Sequence, residues 1–117
     1  MWKDLREQLW ERSGGRCEVS GVRLDPETFD AHHRRNKGMG GDKRPDTNTL
    51  PNLLALDPIV HNAGRNSVHA CRAWSTERGY LIPKHVDQVA GWPLLLHGRR
   101  LVLLGADGRY YPVPEIE

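Results

Sequence analysis

The residues best suited to chemistry in this chain are its histidines. Four of the six lie between positions 32 and 69: His32, His33, His61 and His69. An imidazole titrates near neutral pH, so it serves either as a proton acceptor or, when neutral, as a metal ligand. Taken singly, a histidine is more commonly a surface or packed residue, and His85 and His97, in loop and turn contexts, are read that way. The adjacent pair is different. Neighbours on a strand point to opposite faces, but at a strand end both reach one cleft, where one ring can hold a metal while the other acts as a base. His61 and His69 are eight residues apart. On one continuous helix they would be separated by about 12 Å, too far to share an ion. Gly64 argues against a continuous helix, so either can complete the site, with His61 preferred.

A basic segment adjoins the pair. Residues 31–45 contain Arg34, Arg35, Lys37, Lys43 and Arg44 against Asp42 alone, a local charge of +4, although the whole chain carries only +2. A solvated loop would have this composition. Beside a histidine pair, contact with phosphates is the better reading, and the glycines of the loop would let its backbone approach a nucleic acid closely.

Several elements must position these residues. Trp2, Leu5, Leu9 and Trp10 recur at helical spacing, so residues 2–12 form an amphipathic helix stopped at Ser13-Gly14-Gly15. Strand candidates follow at Arg16-Cys17-Glu18 and Thr28-Phe29-Asp30-Ala31. From Arg34 to Pro51 the glycines and prolines predict a long loop, a feature usually functional when it occurs inside a domain. Asn52 to Leu56 reads as a strand. Asp57-Pro58 then offers a cap and first position for a helix that Gly64 interrupts. A second helix starts at Asn66-Ser67, carries Val68, Cys71 and Trp74 at spacing three, and runs to about Arg78 before Gly79. Leu94–Leu96, Arg100–Leu104 and Arg109–Val113 make a three-stranded meander, with turns at His97-Gly98 and Asp107-Gly108. The meander shows no chemistry of its own.

Length and composition bound the rest. A chain of 117 residues with 38% apolar content is one domain that buries a core without staples. Two cysteines, Cys17 and Cys71, are too few for a disulfide framework or a four-thiolate zinc cage. There is no apolar run long enough for a transmembrane helix and no signal-peptide core at the N-terminus, so the expectation is a soluble cytoplasmic protein without a membrane partner.

Ala31-His32-His33-Arg34, Gly40-Gly41, Asn52-Leu53-Leu54-Ala55-Leu56 and His61 together resemble the HNH endonuclease pattern over roughly residues 12–82. Asn52 lies 19 residues after His33, and His61 nine after Asn52. Arg16-Cys17-Glu18 and Gly79-Tyr80-Leu81 also resemble segments of small phage and bacterial members. The resemblance implies an α+β fold with a ββα-metal core (motif core about 28–82), an N-terminal helix and a C-terminal β extension (about 83–117) in a single domain, 1–117. It implies a metal-dependent endonuclease that hydrolyses DNA phosphodiester bonds, leaving a 5′-phosphate and a 3′-hydroxyl. His32 would be a metal ligand and His33 the general base. Asn52 would fix the loop and orient His33, and His61, or else His69, would be the second ligand. One divalent ion, Mg, Mn, Ni or Zn, would be the cofactor, and Arg34, Arg35, Lys37, Lys43 and Arg44 would meet DNA. Each site nicks one strand, so a double-strand break needs a homodimer or two events. In a phage setting the partners would be packaging or recombination proteins and the compartment the host cytoplasm. A catalytically inactive HNH-fold nucleic-acid-binding domain and a structural metal module are the alternatives. The chain departs from the pattern where two Cys-x-x-Cys pairs often hold a structural zinc: only Cys17 remains. Apolar packing is expected in its place, from Trp2, Leu5, Leu9, Val22, Leu24 and Trp74, with Cys71 as a small buried residue.

Overall fold

A computed structural model of the chain describes residues 2–36, 43–63 and 67–114. The fold is α+β, with two small antiparallel sheets. Helix α1 spans Trp2–Ser13. It ends where Gly14 and Gly15 adopt positive φ, 64° and 74°, a conformation that glycine enters without steric cost. Leu9 is fully buried and Leu5 and Trp10 pack against the same core.

Strand β1, Asp30–His33, pairs antiparallel with β2, Leu53–Leu56, in the register Asp30↔Leu56 to His33↔Leu53. All four β2 residues are buried, as their continuous apolar run requires. The expected strand at Arg16–Glu18 is reduced to a single bridge between Arg16 and Arg23. Thr28 and Phe29 precede β1 without entering it. Asn52 belongs to a 3-10 turn, Leu50–Asn52, because Pro51 has no amide hydrogen for the ladder.

After β2, Asp57 caps a single wide turn, Ile59–Ala63, its Oδ2 accepting from the amides of Ile59 and Val60 at 3.1 and 3.4 Å. The second expected helix is shorter than its sequence suggests. Helix α2 covers only Arg72–Glu77, and Ser67 caps a preceding turn by accepting from the Ala70 amide at 3.2 Å. Val68, Cys71 and Trp74 therefore do not share one helix face. Val68 is buried, Cys71 half-buried and Trp74 39% exposed, against the expectation that Cys71 and Trp74 are interior. Trp74 instead lies under the Arg78 guanidinium, 4.6 Å from its ring centre. Val22, 47% exposed at a turn, is likewise not a core residue, whereas Leu9 and Leu24 are. The Trp2 side chain lies outside the described atoms.

The meander follows as expected: β3 (Leu94–Leu96), β4 (Arg100–Leu104) and β5 (Tyr110–Pro112) pair in sequence order. Leu94, Leu96, Val102 and Leu104 join the core formed by α1 and β2. Among the described residues no helix is long and apolar enough to cross a membrane.

Candidate metal centre

The β1–β2 pair sets the site. Asp30 and His32 are two apart on β1 and so share a face. His61 stands between them. Its Nδ1 faces Asp30 Oδ2 at 2.9 Å and its Nε2 faces His32 Nδ1 at 3.1 Å. The chain then folds back, with the Val68 amide donating to Val60 O at 2.7 Å and the His69 amide to His61 O at 3.2 Å. This return brings His69 Nε2 to 3.1 Å from His61 Nε2. The choice between His61 and His69 therefore dissolves. One nitrogen from each of His32, His61 and His69 lies within 4.8 Å of the others, close enough to hold a metal ion.

The outward-facing nitrogens fix which atoms are available. His32 Nε2 lies 2.7 Å from the Tyr80 carbonyl oxygen, which can only accept, so Nε2 carries the proton and Nδ1 the lone pair. The Asp30 carboxylate imposes the same logic on His61: Nδ1–H donates and Nε2 carries the lone pair. In their neutral forms these two rings thus aim lone pairs at one another across 3.1 Å, a repulsive contact unless a cation or an extra proton lies between them. Burial opposes a proton on His32, pulling it down to about 3; the Tyr80 carbonyl acts in the other direction, and His61, His69 and His33 lower it further. Burial, then His61 and Arg72, also lower His69. A divalent ion would resolve the contact. Tetrahedral zinc with nitrogens at about 2.0–2.1 Å puts its ligands about 3.3 Å apart, near the two 3.1 Å spacings found.

His33, at the end of β1, lines the same cleft with Ala31, His32, Asn36, His61 and His69. Its Nε2 is 2.8 Å from Asn48 Oδ1. Asn52 is fully buried and ties the loop: its Oδ1 accepts from the Arg35 amide at 2.8 Å and its Nδ2 donates to Thr47 O at 2.8 Å and Arg35 O at 3.3 Å. Asn52 thus ties the loop, and His33 Nε2 meets Asn48 rather than Asn52.

The basic segment divides differently from its sequence reading. Arg34 is fully buried and donates to Gly79 O, Pro51 O, Trp92 O and Pro93 O at 2.8–3.1 Å. Burial, then the charge of Arg12, pulls it down to about 9. Arg35, also fully buried, pairs with Asp46 and donates to Val86 O and Asp87 O. Neither guanidinium is available to a phosphate; both expectations fail because the two side chains turn inward and serve main-chain carbonyls of several separate segments. Arg44 is half-buried and donates to Lys84 O at 2.8 Å. Lys43 is exposed, and Lys37 lies outside the described residues.

Sequence reasoning missed Asp30, Asn48 and the Tyr80 carbonyl. Asp30 had a signal, a carboxylate two residues from His32 on one strand face; Asn48 and a main-chain carbonyl had none. Comparison of the chain with protein-family models, with curated proteins and with solved structures gives no match.

Proposed function

We propose that the protein is a metal-dependent endonuclease of HNH type acting on DNA, with β1, β2 and the following turn and helix as its ββα-metal core. The observation that carries this reading is the convergence of three imidazoles on one point beside a fourth, His33, that points into the same cleft. His32, His61 and His69 would hold the ion. The all-nitrogen donor set favours zinc or nickel over magnesium, which prefers oxygen ligands. When bound, such an ion supplies a Lewis acid for the phosphate and its leaving oxygen. His33 takes the proton from the attacking water. Donating Nε2–H to Asn48 Oδ1 leaves the His33 lone pair on Nδ1, so Asn48 selects the basic tautomer. Asn52 holds the loop that carries Asn48 through its bond to Thr47 O.

The test is supercoiled plasmid incubated with the protein and Mg²⁺, Mn²⁺, Ni²⁺ or Zn²⁺. Wild type is expected to nick it with at least one ion, and His33→Ala to lose 10²-fold or more, the usual scale for a general base, on the order of 10²–10⁴. Equal persistence of supercoiled DNA with both proteins under all four ions would refute the reading.

A further inference from the structure

With Arg34 and Arg35 turned inward, the phosphate contacts of a nucleic-acid enzyme must come from elsewhere. Two turns distant in sequence carry exposed arginines. Arg16 and Arg23 face each other across the bridge between the strand-like segments at 16 and 23. Arg99 and Arg100 lie at the turn joining β3 to β4. The turns are packed together: the His97 amide donates to Glu18 O at 3.1 Å, and a Cβ at Gly21 would meet the His97 ring at 3.6 Å. Ser20, Gly21, His97 and Arg99 line one cleft between them. All four arginines are exposed. Arg16 donates to the Gly21 carbonyl at 3.1 Å, and among the described residues none of the four has an acidic partner. The acid of this region, Glu18, is fully buried and neutralised by Arg12 at 2.7 Å. The next acid along the chain, Asp25, accepts from the Glu27 amide. These exposed cations leave a local excess of positive charge on two abutting turns that a polyanion would complement.

We infer that the exposed arginines of these two abutting turns, Arg99 and Arg100 with Arg16 beside them, bind the phosphate backbone of a nucleic acid. The inference rests on the endonuclease reading for its choice of nucleic acid over other polyanions. The arginine guanidiniums offer planar, forked donors suited to phosphate oxygens. The surface is tied to the histidine cluster through Tyr80, whose carbonyl accepts from His32 and whose hydroxyl donates to Leu95 O at 2.7 Å on β3, two residues before His97. Such contacts position a duplex without reading its sequence.

The experiment is binding of a fluorescent 20-base-pair duplex, read by anisotropy in EDTA so that no hydrolysis intervenes. Wild type, Arg99→Ala/Arg100→Ala and the charge-retaining Arg99→Lys/Arg100→Lys are compared between 50 and 200 mM salt. Each phosphate contact contributes a log–log slope of about −0.9, or about 3.5-fold over this range. Removing two should shrink the salt-dependent loss of affinity about 12-fold relative to wild type, while the lysine pair keeps the wild-type slope. The exposed positions should leave the thermal melt unchanged. Wild-type affinity and slope in the alanine pair would overturn the inference, as would failure of wild type to bind duplex at 50 mM salt. Tighter binding to phosphatidylserine vesicles than to DNA would also overturn it, in favour of a membrane surface. Nicking of plasmid with wild-type binding in the alanine pair would sink this surface alone. Duplex binding that depends on Arg99 and Arg100, without nicking under any ion, would support it and sink the nuclease reading alone.

Discussion

Asp30→Ala isolates what a carboxylate behind a histidine does for the candidate metal site. Asp30 Oδ2 accepts from His61 Nδ1 at 2.9 Å, holding the ring in the tautomer that presents Nε2 to the cluster. A hydrogen bond to a charged group contributes about 1.5–3 kcal/mol. The Asp30 side chain is 37% exposed and that of His61 16%, so solvent screening places the effect at the low end, about 1.5 kcal/mol. That corresponds to roughly a tenfold loss of metal affinity, the lower part of the 10–100-fold range for groups that orient metal-bound histidines. Asp30→Asn keeps a carbonyl oxygen able to accept and should lose less. The assay is competition for Zn²⁺ or Co²⁺ against a chromophoric chelator, alongside urea unfolding of the metal-free proteins to separate affinity from stability. Affinity for Asp30→Ala within twofold of wild type would refute the tautomer argument. Absence of measurable binding by wild type would refute the metal centre itself.

Two predictions concern the scaffold. Glu18→Gln leaves the buried Arg12 charge without its partner and should destabilise the fold by about 3 kcal/mol, seen as a lower urea midpoint at unchanged slope; a loss under 1 kcal/mol would contradict the arrangement. Burial raises the Asp46 carboxyl, but its hydrogen bond to Arg35, followed by the Val89 amide and the Arg35 charge, brings it below the ordinary value. A depressed carboxylate adds stability that is present above about pH 4 and lost as the pH falls toward its folded pKa. Asp46→Asn should therefore flatten the acid limb of the stability profile, and an unchanged limb would assign it to other groups.

The parts of the fold legible in the sequence are those fixed by local chemistry. Gly14 and Gly79 stop helices where a positive φ is needed, 64° and 80°. The meander strands are announced by short apolar runs separated by Gly-containing turns. The histidine cluster is half legible: the histidine types are visible in the sequence, but the return that seats His69 beside His61 is set by two main-chain hydrogen bonds, which no side-chain pattern encodes. The basic segment misled for a related reason. Charge in a sequence does not say which way a side chain faces, and Arg34 and Arg35 face inward, donating to main-chain carbonyls of Pro51, Gly79, Val86, Asp87, Trp92 and Pro93. The meander, read as inert, contributes Arg99 and Arg100 on its first turn.

The deeper question is what ties α1, the 3-10 turn and β2 together. Apolar packing answers part of it, through Leu9, Leu24 and Phe29. The remainder is a buried charged junction. Arg12, from the last turn of α1, chelates Glu18 at 2.7 and 3.0 Å and donates to Leu50 O and Leu53 O at 2.8 and 2.6 Å. Glu18 in turn accepts from the Ala55 amide at 2.8 Å and from the Tyr110 hydroxyl of β5 at 2.6 Å. Burial and then Glu18 hold the Tyr110 hydroxyl well above its ordinary pKa, so it remains a donor. One ion pair therefore fastens α1, the 3-10 turn, β2 and the meander at a single point, as a multidentate metal would. The energetic character differs. A buried ion pair adds little net stability over apolar residues of equal volume, but removing one partner costs several kcal/mol. Such a junction selects one arrangement of these elements more than it strengthens them, and β2 is the strand against which His32 and His33 are set.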